Sequence, residues 1–404
     1  MPLRFVLLLL FVLAAGVSAS AQTLPAVGTD ATLDVATWNI EHFGNPGSGP
    51  LNEELQFQNV LAVLRQADVD VWSLQELDFE DTFDRLLDSL GADFDGQWFA
   101  DETASFDIGY GFVWRTATIT APQVTKILTG SSFEFASRPP LQLTATVILP
   151  DTTVEVRFIN VHMKAGASAE DYDRRLAASA ILKNYTDNQQ AVGRNIAILG
   201  DLNDELVQSI RTNEESPYRN FLDDADYLFA TRDFDQSGSS GDTNTFCSSS
   251  TCSSGSVLDH IIATSPLADD YEAGSVARYD AALADITGYT STTSDHVPVT
   301  ARFNFGLTTP NEAGPPARTF ALEAPYPNPF TDQATFVYTV GEAGPVRVEL
   351  FDALGRRVAV LADENKAPGS YRVRLNGARL TPGLYVVRLT SETRTATRRL
   401  IRVR

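Results

Sequence analysis

Basic side chains are scarce in this 404-residue chain, which has 31 Lys and Arg against 52 Asp and Glu and a formal net charge of −21. Only four of the cations are lysine. The deficit lies in residues 1–317, with 17 basic and 44 acidic residues, whereas residues 318–404 have 14 basic and 8 acidic ones. The acidic region has no long-range attraction for nucleic acid. Any approach to a phosphodiester would need metal ions and a few local arginines.

Long apolar runs are also rare. The run at residues 5–15 follows Arg4 and precedes A-S-A at residues 19–21, which is the pattern of a secretory signal peptide over residues 1–21. It is short for a membrane-spanning helix. We therefore expect an exported chain without a stable membrane span, with an N-terminal anchor helix as the alternative.

Cysteine occurs only at Cys247 and Cys252, in a stretch rich in Ser, Gly and Thr at residues 237–256. Two thiols without a nearby histidine at ligand spacing make a poor zinc site. In an exported protein, this pair predicts a small disulfide that holds a surface loop.

Two regions differ in their hydrophobic pattern. Residues 22–306 predict an α/β domain in which buried strands end in polar residues, and residues 321–404 predict a small all-β sandwich domain. Residues 307–320 are rich in Pro and Gly and predict a linker. In the α/β region, strands are predicted at residues 31–40, 69–74, 110–114, 141–149, 154–161, 196–199, 257–263 and 297–303, and helices at residues 53–67, 83–90 and 172–185.

All four histidines, His42, His162, His260 and His296, lie in short segments that contain acids or amides. Carboxylate and amide oxygens at strand ends suit Mg²⁺ or Mn²⁺, and imidazoles beside carboxylates suit proton transfer. The chain has neither a P-loop nor a G-x-S-x-G nucleophile elbow. This pattern predicts metal-assisted hydrolysis of a phosphoester.

Six motifs in a fixed order carry a resemblance. The motifs are T-W-N-I-E at residues 37–41, L-Q-E at 74–76, N-V-H at 160–162, G-D-L-N-D at 200–204, L-D-H-I at 258–261 and S-D-H-V-P-V at 294–299. Together they resemble the endonuclease/exonuclease/phosphatase superfamily, which includes pancreatic-type deoxyribonucleases, apurinic endonucleases, neutral sphingomyelinases and inositol polyphosphate phosphatases. The resemblance implies a four-layer α/β sandwich, with two packed mixed sheets flanked by helices and the site at one edge.

The same resemblance implies roles for the oxygen-bearing side chains. Glu76 is the expected principal ligand of Mg²⁺ or Mn²⁺, with Asn39 beside it and Asp295 as a second metal contact. Asp201 and Asn203 are expected to position the attacking water and the phosphate.

The resemblance also implies roles for the imidazoles. His296 is the expected general base or transition-state stabiliser, and Asp259 is the carboxylate that orients it. His162 takes the place of the second imidazole of the deoxyribonuclease and sphingomyelinase branches, and Arg138, in S-R-P-P, is similar to an arginine that contacts a substrate phosphate. Those branches place a glutamate behind the first histidine. Here the nearest acid, Asp107, is out of register, which puts the support of His162 in doubt.

The remaining histidines have simpler interpretations. We expect His42 to pack the loop after its strand. His260 follows the carried-over Asp259 at a position that is often apolar or aromatic in the superfamily, so a structural role is expected.

Four motifs in the C-terminal region carry a second resemblance. The motifs are Y-P-N-P-F at residues 326–330, V-E-L-F-D-A-L-G-R-R-V at 348–358, P-G-S-Y at 368–371 and L-T-P-G-L-Y-V-V-R-L at 380–389. They resemble the C-terminal sorting domain of the type IX secretion system of Bacteroidetes-like bacteria. The resemblance implies transport by that machinery and release from, or attachment to, the outer surface; a carbohydrate- or matrix-binding module is the alternative.

These interpretations together predict a secreted, monomeric, divalent-metal-dependent phosphodiesterase, with extracellular DNA or RNA as the expected substrate. Two alternatives stay open: a phosphatase or sphingomyelinase-like enzyme that acts on small or lipid phosphoesters, and a catalytically dead surface-binding protein. The sequence leaves open the choice between DNA and RNA, the choice between endo- and exo-cleavage, and the number of metal ions.

Overall fold

The computed structural model describes residues 23–101, 108–190, 192–232, 234, 243–305, 321–322, 325, 330–331, 333–340, 344–352, 354–366, 369–377, 380–391 and 394–403. The predicted signal peptide, the predicted linker and Asp107 lie outside the described residues. The chain divides into two compact units, Met1–Leu307 and Thr308–Arg404. The exact domain boundaries given above stay a prediction.

Strands make up most of the regular structure of the first unit. They are β1 (Leu33–Phe43), β2 (Val71–Leu77), β3 (Phe94–Phe99), β4 (Gly109–Arg115), β5 (Ile119–Lys126), β6 (Leu141–Leu149), β7 (Thr152–His162), β8 (Asn195–Asp201), β9 (Tyr227–Phe229), β10 (Phe246–Cys247), β11 (Gly255–Ser256), β12 (Asp259–Thr264), β13 (Ala277–Arg278) and β14 (Val299–Phe303).

Three long helices and several short ones connect these strands. Among the described residues, no helix is both long and apolar enough to cross a membrane. The helices are α1 (Glu53–Gln66), α2 (Glu80–Leu90), α3 (Ala169–Gln190), α4 (Arg219–Leu222), α5 (Ser265–Ala268), α6 (Asp280–Asp285) and α7 (Tyr289–Thr292), with a 3-10 turn at Thr129–Ser131.

The two longest helices begin with side-chain caps. The Asn52 side chain accepts a hydrogen bond from the Leu55 amide ahead of α1, at 3.0 Å. Ser168 and Asp171 exchange backbone and side-chain hydrogen bonds at the start of α3, which is a capping box. These polar residues set the points at which the chain leaves the preceding loops.

The strands form two six-stranded mixed sheets, in the orders β13-β14-β1-β2-β4-β3 and β5-β6-β7-β8-β12-β9. Each sheet contains one parallel pair, β1 with β2 and β7 with β8. The helices α1 and α3 are the crossovers of these pairs. Because parallel strands end on the same side, each crossover brings two distant strand ends together.

The two sheets pack on each other through an apolar core that includes Val35, Phe112 and Phe158. Helices α1 and α2 cover the outer face of the first sheet, and Val60 and Phe83 lie in a second apolar core between these helices and the sheet. Helix α3 covers the outer face of the second sheet through a third core. The predicted four-layer α/β sandwich is therefore confirmed. The edge strands β3 and β5 are absent from the prediction, because their partly exposed residues lack a continuous apolar run.

The second unit is all β in its described part. Two antiparallel sheets, β15-β16-β19 and β18-β17-β20-β21, share one apolar core that contains Phe336, Leu350 and Val387. This confirms the predicted small β-sandwich. The strands are β15 (Ala321–Leu322), β16 (Gln333–Val340), β17 (Gly344–Asp352), β18 (Arg357–Lys366), β19 (Gly369–Asn376), β20 (Gly383–Thr390) and β21 (Thr395–Arg402).

Candidate active site

The predicted polar residues meet at one end of the sandwich. Asn39 and Glu76 lie near the ends of β1 and β2, and His162 and Asp201 are the last residues of β7 and β8. Asp259 begins β12 directly opposite Asp201. Asp295 and His296 lie on the segment that leads into β14. The site therefore draws on both sheets.

The backbone is irregular where the site forms. Glu41, His42, Glu76 and Asn203 all have positive φ, between 44° and 57°, and the register shifts in β1 after Asn39 and in β2 after Gln75. A left-handed conformation costs a non-glycine residue about 1–3 kcal/mol and is often found at functional sites.

Gly200 is required by a close approach of two strands. A Cβ atom at this position would lie 1.9 Å from the carbonyl oxygen of Val161. Glycine therefore lets β8 run against β7 immediately before the Asp201 side chain enters the site.

Asn39 joins the two sheets. Its Nδ2 donates to Glu76 Oε1 and to Asp201 Oδ2, both at 3.1 Å, while its Oδ1 accepts from the Glu41 amide at 3.0 Å. This arrangement turns the amide nitrogen toward the carboxylates. The structure thus shows Asn39 as an orienting donor, and its predicted role as a metal ligand stays a prediction.

Acidic groups crowd around Glu76. The Asp295 amide donates to Glu41 Oε2 at 2.9 Å. Burial, followed by the charges of Asp295 and Glu76, raises the pKa of Glu41 to about 7. Burial also raises the pKa of Asp295, and the charge of Glu76 adds to it. Carboxylates that repel one another in this way suit a hard divalent cation, which would offset their charge.

The candidate metal ligands do not surround a metal site on all sides. Within the described residues, no three His, Cys, Asp or Glu side chains are already close enough to hold a metal ion. Mg²⁺ usually keeps several waters and binds through one or two carboxylates together with substrate phosphate. Glu76 and Asp295 fit that mode of binding.

His296 is held from both sides. Its Nδ1 lies 2.7 Å from Oδ2 of the fully buried Asp259, and its carbonyl oxygen accepts from Trp38 Nε1 and from the Tyr289 hydroxyl. Its Nε2 lies 4.0 Å from Asp201 Oδ2. Burial lowers the pKa of His296, but Asp259 and the other nearby carboxylates outweigh it, so that the pKa is well above its usual value.

His162 also approaches Asp201. Its Nε2 lies 3.7 Å from both Asp201 Oδ2 and Glu76 Oε1. Burial lowers its pKa well below the usual value, and the charge of Arg138 adds to this effect. In the described part of the chain, its buried Nδ1 has no hydrogen-bond partner, so no described residue takes the place of the glutamate that the resemblance would require.

Asp201 and Asn203 form one unit. Asp201 accepts hydrogen bonds from the Asn203 amide at 2.8 Å and from Asn203 Nδ2 at 3.1 Å, and burial raises its pKa to about 7. Asn203 Nδ2 also donates to the Met163 carbonyl at 3.2 Å. These bonds fix both side chains beside the imidazoles.

Arg138 is buried behind His162. Its Nε donates to the His162 carbonyl at 3.4 Å, and its Nη2 donates to the Met163 carbonyl at 3.2 Å. Two of its nitrogens therefore hold the end of β7, and contact with a substrate phosphate stays a prediction.

The other two histidines have different partners. His42 Nδ1 lies 2.9 Å from Asp78 Oδ2, and this bond raises the pKa of His42 to about 9. Its Nε2 lies 3.9 Å from Glu76 Oε2, so His42 lies closer to the site than its predicted packing role suggests. His260 is fully buried, against Thr231 Oγ1 and the Asp204 carbonyl, as its structural interpretation predicts.

Two buried amide side chains on α1 hold the segments that carry Asn39 and His296. Gln56 on α1 donates through Nε2 to the carbonyls of Ile40, Glu41 and Thr293, at 2.9, 3.0 and 3.0 Å. Asn59, one turn later, donates to Thr293 Oγ1 at 2.9 Å. Neither amide belongs to a sequence motif, although two amides on an otherwise apolar helix face are a usable signal.

A buried ion pair holds the loops that follow His162 and Asp201. Arg175 and Asp204 are both fully buried, with Nη2 and Oδ2 2.8 Å apart. Arg175 Nη1 also donates to the Lys164 and Gly166 carbonyls, at 2.7 Å each. This pair belongs to no sequence motif either. Arg175 shares the helical spacing of the buried apolar positions of α3, and this spacing indicates a buried arginine that needs an acidic partner.

The predicted disulfide between Cys247 and Cys252 is present. It closes the β10-β11 hairpin, where the Cys247 amide donates to the Asp295 carbonyl at 2.7 Å. The Phe246 ring lies 5.2 Å from the His296 ring, centroid to centroid. The stapled hairpin therefore packs directly against the His296 segment.

Comparisons with known proteins agree with this geometry. The Endonuclease/Exonuclease/phosphatase family matches residues 36–296, and the family described as a secretion system C-terminal sorting domain matches residues 324–403. No curated protein sequence matches the chain significantly.

Solved structures share the fold. An endonuclease/exonuclease/phosphatase from Beutenbergia cavernae has a TM-score of 0.50 at 16% identity, covering 92% of this chain and 100% of that one. The 3′ phosphatase NExo from Neisseria, bound to a product DNA hairpin, has a TM-score of 0.49 at 19% identity, and a humanized D. rerio TDP2 has 0.47 at 13% identity. Each of these two alignments covers 68% of this chain and 100% of the chain in the solved structure. The chain belongs to the Endonuclease/Exonuclease/phosphatase family of phosphoester hydrolases, and its C-terminal region belongs to the sorting-domain family that directs secretion or outer-surface attachment.

Proposed function

We propose that the protein is an exported, divalent-metal-dependent phosphodiesterase that cleaves nucleic acid. The observation that carries the proposal is the placement of two imidazole nitrogens within 4.0 Å of Asp201 Oδ2, His162 Nε2 at 3.7 Å and His296 Nε2 at 4.0 Å. Glu76 Oε1 lies 3.7 Å from His162 Nε2. This arrangement suits an in-line attack of water on a phosphodiester, with proton acceptors and charge-stabilising groups already in place.

The roles of the residues follow from their contacts. Asp201 and Asn203 orient the attacking water, and His296 Nε2 accepts its proton, while Asp259 holds the imidazole by Nδ1. As the water oxygen bonds to phosphorus, the bond to the leaving oxygen breaks, and His162 and Arg138 stabilise the charge on the phosphoryl oxygens. Glu76 and Asp295, with Asn39 between the carboxylates, would hold Mg²⁺ or Mn²⁺, which when bound offsets negative charge on the phosphate.

Export is part of the proposal. We assign residues 1–21 as a signal peptide, 22–306 as the catalytic domain, 307–320 as a linker and 321–404 as the sorting domain that engages the type IX machinery. The sorting-domain match and the disulfide between Cys247 and Cys252 support this assignment, because disulfides persist in oxidising compartments.

The proposal is tested by plasmid nicking and by hydrolysis of bis-p-nitrophenyl phosphate, each with Mg²⁺, with Mn²⁺ and with EDTA. We expect metal-dependent nicking that Glu76→Gln abolishes. Glu54→Gln, which changes an exposed glutamate on α1, is the matched control and should keep full activity.

The two assays separate the alternatives. Intact plasmid with active diester hydrolysis would redirect the assignment to small or lipid phosphodiesters. Silence in both assays, with phosphate release from monoesters, would indicate a phosphatase. Silence with every substrate would leave a surface-binding protein on a hydrolase scaffold.

A further inference from the structure

The turn between β5 and β6 exposes one phenylalanine and buries the next. Phe133 is 62% exposed, whereas Phe135 is 1% exposed and packs in the core beneath α3. Phe133 is therefore available to a ligand, while Phe135 anchors the turn that presents it.

Arg174 on α3 fixes this ring at the surface. Its Cζ lies 4.3 Å from the centre of the Phe133 ring, and its Nε and Nη2 donate to the Phe133 carbonyl, at 3.0 and 2.5 Å. In the described part of the chain, no carboxylate forms an ion pair with Arg174, and its Nη1 has no partner. One face of an immobilised aromatic ring and one cationic donor are thus left for a ligand.

The segments that carry this pair also hold the chain around His162. The chain runs from Phe133 to Arg138 in one tight turn, in which the Arg138 amide donates to the Phe135 carbonyl, and the Arg138 guanidinium contacts His162. On the other side, Arg175 follows Arg174 directly and binds the Lys164 carbonyl, two residues after His162. The exposed pair and the catalytic imidazole are therefore presented by the same two adjoining segments.

Charge complementarity indicates the ligand. Residues 1–317 have 17 basic and 44 acidic residues, yet within the described residues Arg174 forms no ion pair with any of these acids and binds only the Phe133 carbonyl, so its guanidinium can meet a phosphate. Bases of single-stranded nucleic acid stack on exposed aromatic rings irrespective of sequence, and guanidinium groups bind phosphate by charge-assisted hydrogen bonds.

We propose that Phe133 and Arg174 form a nucleotide subsite beside the active site, in which an unpaired base stacks on the free face of the Phe133 ring and the adjoining phosphate meets Arg174. The inference rests on the proposed nuclease function and deepens it, because stacking on one ring requires a base that is free of its duplex. The expected substrate is nucleic acid with an unpaired base, which includes single strands and the locally unpaired segments of a supercoiled plasmid.

The test measures binding by the full chain in EDTA, which prevents cleavage. The probe is a fluorescein-labelled single strand of about 12 nucleotides, a length within the range that one such site covers, together with an abasic strand of equal length. We expect Phe133→Ala to weaken binding of the normal strand about tenfold and to leave the abasic strand unaffected. Arg174→Gln should weaken binding of both strands and reduce the salt dependence.

Matched controls come from exposed residues outside the pair. Leu176→Ala removes an exposed apolar side chain from the same helix, and Arg219→Gln removes an exposed cation from α4. Both should bind both strands as the wild type does. Thermal melting of all four variants should match the wild type, because the altered side chains lie at the surface.

Three results would overturn the subsite. The first two are equal affinity of Phe133→Ala and the wild type for the normal strand, and no binding of that strand by the wild type. The third comes from a parallel binding assay with sphingomyelin–phosphatidylcholine vesicles: if Phe133→Ala loses binding only to the vesicles, Phe133 belongs to a lipid-binding surface. Cleavage with Mg²⁺ is scored separately. Cleavage by a Phe133→Ala enzyme with unchanged binding would reject the subsite and keep the nuclease. Base-dependent binding without cleavage by the wild type would keep the subsite and reject the nuclease.

Discussion

His296 and His162 approach the same Asp201 carboxylate from two different strand ends, at 4.0 and 3.7 Å. Both are buried, yet the pKa of His296 is well above its usual value and that of His162 is well below it. For His296, Asp259 and its neighbouring acids outweigh burial. For His162, Arg138 adds to burial. The surroundings, rather than the residue type, decide which imidazole takes up a proton.

The largest effect is expected from His296→Ala, because it removes the proposed proton acceptor. We expect kcat for diester hydrolysis to fall by roughly 10²- to 10⁴-fold, with little change in the melting temperature. Steady-state kinetics at saturating substrate would measure the fall. Near-wild-type turnover would show that His296 is not the base.

Asp259→Asn should remove the negative charge beside His296 while it keeps a side chain that can hydrogen-bond to the imidazole. The carboxylate raises the pKa of His296, and a base acts in its neutral form, so activity should rise with pH through that pKa. Without the carboxylate charge the pKa falls. The acidic limb of the pH–rate profile should therefore move to lower pH, while the plateau drops by roughly 10- to 10³-fold. An unmoved acidic limb would contradict the pairing as the cause.

His162→Gln tests the other imidazole and should have a smaller effect. His162 is favoured in its neutral form, so its proposed contribution is a hydrogen bond to the phosphoryl group and not proton uptake. We expect a fall of roughly 10- to 10²-fold in kcat/KM, with the acidic limb of the profile unchanged. A displaced acidic limb would mean that the two histidines have exchanged roles.

Gln56→Leu should have the smallest effect, because Gln56 acts only through backbone carbonyls, two beside Asn39 and one on the segment that leads to His296. Loss of its three carbonyl contacts should lower kcat about tenfold by loosening the segment that carries His296. KM for small diesters should stay nearly constant. Gln58→Leu, on the exposed face of the same helix, is the control, and an equal fall in both variants would refute a positioning role.

Local sequence patterns indicated where the strand-end residues lie. Glu76, His162 and Asp201 each lie at or near the end of a buried strand within a short motif, and the structure brings all three within 4 Å of a neighbouring site atom. Their catalytic roles stay predictions. The parallel pairing that makes this possible also leaves a visible trace, since each pair has a helix between its strands.

The support behind these residues could not be predicted in the same way. Gln56 reaches the carbonyl of Thr293, which is 237 positions away along the chain, and Arg175 binds the carbonyls of Lys164 and Gly166. A backbone carbonyl imposes no side-chain requirement on its own residue, so such contacts leave no motif. The edge strands β3 and β5 are hard to predict for a related reason. Many of their residues face solvent, so these positions need not be apolar and the strands lack a continuous apolar run.

The pairing of β14 with β1 has a consequence for synthesis. These strands begin and end the described α/β unit, with Leu33 opposite Phe303, and His296 lies just before the later one. A ribosome therefore releases Asn39 and Glu76 long before the chain can supply His296, the proposed proton acceptor. A contact across such a long stretch forms late. A nascent or prematurely ended chain that lacks the segment before β14 would carry no complete form of the proposed site, so we expect hydrolytic activity only from molecules whose catalytic unit is finished.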